Sequence, residues 1–358
     1  MDPSYVIMTL DRSVYFNSLR YILSILQVFG NFFVLFLICK YERLRRSQCN
    51  IFIAILAFTN IWTGVGLSIR ATYTLYAASK DPVYFAKLPC VFANIVQASA
   101  LYASQVAIVA IAVDRFNAVW RPLKYVNDSS LFRIVFVCLL TGLTAVGVTV
   151  TSFYGFVDSG PIVICTMGAA GSPLFGIWSQ YYVQIMSLIL VVVYAITLVL
   201  FIRGKSFNNK FQRRVTRSVF VIISMYLLFW GIPSLAILIT TWFAKTMTLY
   251  FVNILGVTTG VDGALYFFVY LITHNEIRQC TNDFVGKICN RKARGRVVLL
   301  SSGRQSMQQI DTTTNRIDFA YRKEYITEEQ WSFNGCLPID KQSSHQPDNS
   351  PPDFFTNS

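Results

Sequence analysis

The stretch "LPCVFANIVQASALYASQVAIVAIAVDR", Leu88 to Arg115, carries no charge until its last two residues, Asp114 and Arg115. A helix crosses the hydrocarbon core of a bilayer with about 20 apolar residues, so this run is long enough to span one, with an acid and a base at its edge. Uncharged runs recur at Tyr21–Cys39, Ile51–Ile69, Ile134–Val157, Ser159–Ile202 and Ser218–Ala244, and a further run, Thr246–Asn275, is interrupted only by Asp262. The run from Ser159 is long enough for a loop and a span. "TMGAAGSP", Thr166–Pro173, reads as part of that loop, and the span as Ile177–Ile202. The pattern predicts seven spans.

Composition agrees with this count. The 358 residues are 54% hydrophobic, 15% aromatic and only 14% charged, and the mean hydropathy is +0.48. Soluble domains average about 25% charged residues. Orientation follows from the cations, because cytoplasmic segments carry the excess of Lys and Arg. With the N-terminus outside, the outer segments hold Arg12, Arg20, Arg70, Lys80, Lys87 and Lys245. The other 25 of the 31 Lys and Arg fall inside, with clusters at "KYERLRR", "RPLKY", "RGKSFNNKFQRRVTR" and "NRKARGR". The formal charge of +13 is thus a topology signal facing acidic headgroups, and nucleic-acid binding is not implied. The first twenty residues lack a separate signal-peptide core with a small-residue cleavage site, so the first span is expected to serve as its own insertion signal.

The eight cysteines sort against this topology. Cys39, Cys49, Cys138, Cys280 and Cys289 fall at or near the cytoplasmic side and Cys336 lies in the tail. Only Cys90 and Cys165 reach the oxidising side, where a disulfide between them is permitted, the alternative being two separate thiols. Ile277, Cys280, Phe284 and Ile288 recur at three- and four-residue spacing with Arg278, Asp283 and Lys287 on other faces. That pattern predicts a short amphipathic helix on the inner membrane surface, with Cys280 and Cys289 as palmitoylation candidates. From Arg291 the chain is polar and aperiodic and is expected to be a disordered tail, open to phosphorylation or simply solvated. The expected organisation is an extracellular N-terminus at 1–20, a seven-transmembrane helix bundle at 21–274, the amphipathic eighth helix at 275–290 and the tail at 291–358. The fold class is an all-α membrane protein.

Several functions are disfavoured. No duplicated halves with broken helices suggest a transporter. Only His274 and His345 are present, without the HExxH of a zinc enzyme, and Thr246–Ile272 has no lysine for a retinal Schiff base. No enzyme activity and no cofactor are expected. A bundle that transmits a signal is the leading reading.

The motifs sharpen it. "GNFFV", Gly30–Val34, and "LAFTN", Leu56–Asn60, resemble the GNxxV and LAxxD of the first two spans in rhodopsin-like G-protein-coupled receptors. Cys90 stands 25 residues before Arg115, as that family's disulfide cysteine stands before its DRY arginine, and Pro122 follows. "HNEIRQ" resembles the start of the family's eighth helix. Within the family, "DRFNAVWRPLKY", "RRVTRSVFVIISMYLLFW" and "YFFVYLITHNEIRQ" look most like the nematode serpentine chemoreceptors of the Srsx group. The resemblance implies an extracellular small-molecule or peptide ligand, a heterotrimeric G protein as partner, arrestin and a receptor kinase at the tail, and a sensory neuron membrane as location. It also implies that Asp114 holds Arg115 at rest and that activation frees the arginine for the G protein, with Tyr194 and Tyr270 completing the switch. A static boundary pair is the alternative.

The departures from the family are specific. "FWGIP" replaces CWxP, so Pro233 is kept while Trp230 stands one residue early. "YFFVY" keeps Tyr270 but loses the Asn and Pro of NPxxY, and Met186 replaces the fifth-span proline. The basic Arg213, Arg214 and Arg217 stand where an acid often locks the DRY arginine, so elevated basal signalling is expected. Gln97 replaces the acid that binds cationic amines in aminergic members. Arg70, Gln97 and Trp230 are the ligand-binding candidates, with Tyr73, Tyr76, Tyr102 and Trp242 at similar depth. Arg70 would meet a ligand carboxylate or phosphate, or else snorkel to headgroups. The second-span acid is Asn60, while Asp262 lies in the seventh, so Asn60, Ser104 and Asp262 would form a relocated polar centre that binds sodium; a protonated packing acid, or one reaching the ligand pocket, is the alternative. A non-signalling membrane protein that traffics or scaffolds other receptors is the second function class.

Overall fold

The computed structural model describes residues 11–80, 84–120, 125, 130–158, 160–203, 220–221, 223–243 and 245–287. Seven of its helices are long and apolar enough to cross a membrane. They are α1 (Val14–Lys40), α2 (Gln48–Lys80), α3 (Lys87–Trp120), α4 (Ser130–Phe153), α5 (Pro173–Arg203), α6 (Ile223–Phe243) and α7 (Lys245–Thr273). A further helix, α8, occupies 275–287. Cys289, Ile288, the cations Arg121, Lys124, Arg213, Arg214 and Arg217, Pro122 and the whole tail lie outside the described residues.

Helices dominate because a bilayer offers no water to unpaired backbone groups, and a helix satisfies them within its own segment. Side chains that hydrogen-bond poorly with lipid turn the other way: Phe29, Phe32, Leu139, Leu143, Ile185 and Leu188 are exposed, whereas Asn17, Gln27, Asn31, Asn60, Asn94, Gln97 and Gln105 are buried. On α1 the buried polar residues Asn17, Arg20, Ser24, Gln27 and Asn31 recur every three or four positions, which places them on one inward stripe. α3 is central, packing against α2, α4 and α5, while α7 packs against α1 and α6.

The first helix starts at Val14, before the uncharged run at Tyr21, and it takes Arg20 into the interior. The boundary moved because Arg20 is neutralised there. The chain between α4 and α5 is fixed over one end of the bundle by three ties. Cys90 and Cys165 form a disulfide with Cα atoms 5.6 Å apart, Phe85 and Ile162 exchange backbone hydrogen bonds of 2.7 and 2.9 Å, and the backbone N–H of Cys165 donates to Asp11 Oδ2 at 3.1 Å. "TMGAAGSP" holds a one-turn helix, Met167–Ala170, whose N-cap Thr166 accepts from the Ala169 N–H.

Gly66 sets the spacing of α2 and α3, since a Cβ there would collide with the backbone of Gln97, which cannot swing aside as a side chain would. Gly142 on α4 meets nothing within 4 Å. Gly66→Ala is therefore expected to lower stability by about 1–3 kcal/mol, the usual cost of overpacking, while Gly142→Ala raises it by up to about 1 kcal/mol through helix propensity. Thermal unfolding of the purified chain in detergent checks the pair; equal Tm values for the two variants would contradict the close approach.

Candidate functional site

At the disulfide end, Asp11 is wholly buried between two arginines. Arg20 Nη2 donates to Asp11 Oδ1, and Arg70 Nη2 stands 3.5 Å from the same oxygen. Asn17 organises the group: its amide donates to the Asp11 carbonyl at 3.0 Å, while its carbonyl oxygen accepts from Arg20 Nη1 at 3.0 Å and from Thr74 Oγ1 at 2.8 Å. One carboxylate thus joins the segment before α1 to α1, to α2 and, through Cys165, to the disulfide loop. Burial alone would raise the Asp11 pKa, but Arg70 and Arg20 and the donated hydrogen bonds outweigh it, and the carboxyl is held below its ordinary value.

Beside Arg70 lies a cavity of about 190 Å³. Gln97, Asn94 and Tyr102 of α3, Phe175, Ser179 and Gln180 of α5, and Leu255, Gly256 and Thr259 of α7 line it. Two of the three sequence candidates, Arg70 and Gln97, reach it, together with Tyr102. Tyr76 and Trp242 are exposed on the bundle's surface, and the Tyr73 hydroxyl donates to the Ala86 carbonyl at 3.2 Å. Asn94, Ser179, Gln180 and Thr259 were missed by sequence reasoning, although each sits on an uncharged span where a polar residue needs a partner.

Trp230 is placed by an irregularity. Leu227–Gly231 forms a π-helical turn, which holds one residue more than an α turn, and Ile232 N–H bonds back to the Leu227 carbonyl. That extra residue offsets the early position of Trp230 relative to Pro233. The indole is buried, with its ring centroid 6.3 Å from that of Tyr102 and 5.9 Å from that of Tyr226. It therefore stands beneath the cavity rather than among its lining residues.

The three residues expected at the polar centre, Asn60, Ser104 and Asp262, are all buried. Asn60 Nδ2 reaches Asn31 Oδ1 at 3.5 Å, and Asn31 Nδ2 donates to the carbonyls of Gln27 at 2.8 Å and Gly263 at 3.0 Å. Ser104 donates to the Leu101 carbonyl of its own helix at 2.7 Å. Asp262 is buried on α7, one turn before Tyr266. Asn60 is thus tied to Asn31 of α1.

At the opposite end, Arg115 Nη2 lies 2.9 Å from Asp114 Oδ2, and the Tyr125 hydroxyl donates to Asp114 Oδ1 at 2.9 Å. The acid is almost fully buried while the guanidinium keeps a fifth of its surface. Tyr270 is wholly buried and stacked 6.1 Å from Tyr266, and the Tyr194 ring lies 6.0 Å from that of Phe220. Asn50 at the start of α2 donates to Glu276 of α8 at 3.0 Å. His274, between α7 and α8, is pushed down to about 4 by burial and by Arg115, with Glu276 opposing, so it is neutral at physiological pH. Cys280 is buried on the face of α8 turned to the bundle, against the apolar core, so that face is not the one offered to lipid.

A seven-helix bundle with a disulfide-tied loop, a cavity near one end and an acid–arginine pair at the other is the architecture of a membrane receptor. Residues 30–276 match the family described as 7 transmembrane receptor (rhodopsin family), and the chain belongs to it. No curated protein matches the chain. The family carries a ligand and a heterotrimeric G protein as its partner classes.

Asp11 gives a stability prediction. Removing one member of a buried ion pair commonly costs about 3–5 kcal/mol, and Asp11→Asn strands two buried arginines. Because the folded pKa is depressed below the ordinary 3.8, the contribution is fully present above that value and is lost as pH falls through the lower folded value. The wild-type Tm should therefore be flat from pH 7 to pH 5 as far as Asp11 is concerned, with Asp11→Asn lower throughout. A wild-type Tm that falls over this range while the variant's does not would contradict it.

Proposed function

We propose that this chain is a ligand-activated receptor that couples to a heterotrimeric G protein, with the disulfide end extracellular and the Asp114–Arg115 end cytoplasmic. The observation that carries the reading is the closed Asp114–Arg115 pair at the end of the bundle opposite the cavity. An arginine at a low-dielectric boundary needs its carboxylate, and a shift of α3 or of the Tyr125 contact exposes it, which is the form a two-state switch takes. Lys40 of α1 and Arg43, Arg45 and Arg46 just after it lie at the same end, as a cytoplasmic face requires.

Chemoreception is the finer reading. The motifs shared with the Srsx group support it, as does Gln97 in the cavity, where an acid would be needed for a cationic amine. The arginines Arg213, Arg214 and Arg217 leave Asp114 as the principal restraint on Arg115, so basal activity is raised. A sensory membrane location, and arrestin and a receptor kinase at the tail, belong to the same proposal.

The test is expression in cells with a promiscuous G protein, measured without ligand and against ligand pools. Arg115→Ala is expected to reduce coupling at least tenfold at equal surface expression, while Asp114→Asn raises the basal signal. Coupling that survives Arg115→Ala undiminished would overturn the switch. Silence of wild type and Asp114→Asn alike, in the presence and absence of ligand pools, would favour a trafficking or scaffolding role.

A further inference from the structure

The charges around the cavity do not balance, and the imbalance has a location. Two arginines, Arg20 and Arg70, share one carboxylate, which leaves one net positive charge in this cluster of described residues. The carboxylate is not divided evenly. Arg20 donates directly to Asp11 Oδ1, and the Cys165 N–H takes Oδ2 at 3.1 Å. Arg70 Nη2, at 3.5 Å, stands well beyond the ~2.7–2.9 Å of a charge-assisted bond. Its Nε has no hydrogen-bond partner among the described residues.

Arg70 is 94% buried by side chain, and among the described residues it is the one charged residue lining the cavity. Its head group reaches α7: a Cβ at Gly256 would make ordinary contact with Arg70 Nη1, at 3.5 Å. The remaining polar lining, Asn94, Gln97 and Thr259, is neutral and both donates and accepts hydrogen bonds, while Tyr102 and Phe175 supply apolar wall.

We propose that this cavity takes a small monocarboxylate, whose acid group forms the close ion pair that Arg70 lacks. The inference rests on reading the cavity as the receptor's ligand site. One surplus positive charge matches a carboxylate; a phosphate monoester would bring close to two negative charges into a pocket with a single surplus cation. The planar guanidinium fork suits two parallel hydrogen bonds to a carboxylate. Size adds a limit. At about 190 Å³ the cavity is comparable to an engineered cavity of about 150 Å³ that holds benzene, so the ligand is one ring or a short chain beyond its acid group.

The test uses the purified full chain and its thermal unfolding, which needs no G protein. Benzoate and phenylacetate are titrated beside their neutral isosteres, benzamide and phenylacetamide, and beside phenyl phosphate, at fixed ionic strength. The expected result is a saturable Tm rise of about 3 °C with one of the acids at roughly tenfold its dissociation constant, little or none with the amides, and a weaker effect with the phosphate. Arg70→Gln should abolish the rise. If that variant fails to fold, the acid-against-amide comparison on the wild type decides alone. Absence of stabilisation by both acids, equal effects of acid and amide, or a stronger effect of phenyl phosphate would each overturn the proposal. A response to uncharged ligands in the coupling assay would then leave the receptor reading standing without the carboxylate.

Discussion

A charge held away from water must be paired where it stands, and this bundle places its pairs where helices have to be joined. Asp11 is the fullest case. Its carboxylate is the shared partner of Arg20 on α1, Arg70 on α2 and the backbone beside Cys165, so three parts of the chain far apart in sequence are fixed by one group. Replacing such a cluster with apolar residues is often no loss of stability in proteins generally. Its retention here bears on the cavity, because the same cluster leaves Arg70 facing it with charge to spare.

The neutral polar groups follow the same logic at lower cost. Asn31 joins α1 to α7 through the Gly263 carbonyl, and Asn60 joins α2 to Asn31. Gly66 lets α2 and α3 approach until backbone meets backbone. In a bilayer, where lipid tails are as apolar as the side chains they touch, hydrophobic burial does little to choose between helix partners, and small residues and hydrogen bonds do the choosing.

The sequence was most legible where the signal is a long run of like residues. Seven spans follow from uncharged stretches, the eighth helix from its apolar spacing, and the Cys90–Cys165 pair from which cysteines share a side. Arg70 was legible as a cation at ligand depth. Its partner was not, because Asp11 is a single acid in a short polar segment, and nothing local distinguishes it from a solvated residue. The start of α1 was misjudged for the same reason: Arg20 ends the uncharged run only if it is taken as unpaired. The polar stripe from Asn17 to Asn31 was the signal available, since its period is helical throughout. Asn31, the partner of Asn60, was not legible as one, because the asparagine of "GNFFV" reads in sequence only as part of a motif.

The π turn at Leu227–Gly231 shows how a motif can break in sequence while its geometry is kept. A one-residue shift in an α-helix turns a side chain by about 100° and would carry Trp230 off the core face. The extra residue in the turn returns it, and the indole rests between Tyr102, which lines the cavity, and Tyr226, whose hydroxyl pairs with Ser187 of α5. Contiguity of rings is not coupling by itself; coupling needs an element with two arrangements that both sites bias. A π turn is a natural place to look for one, because such single-turn bulges are rare and recur at functional sites. Pro233, two residues beyond it, lacks an N–H and so leaves the ladder beside the turn already short of a bond.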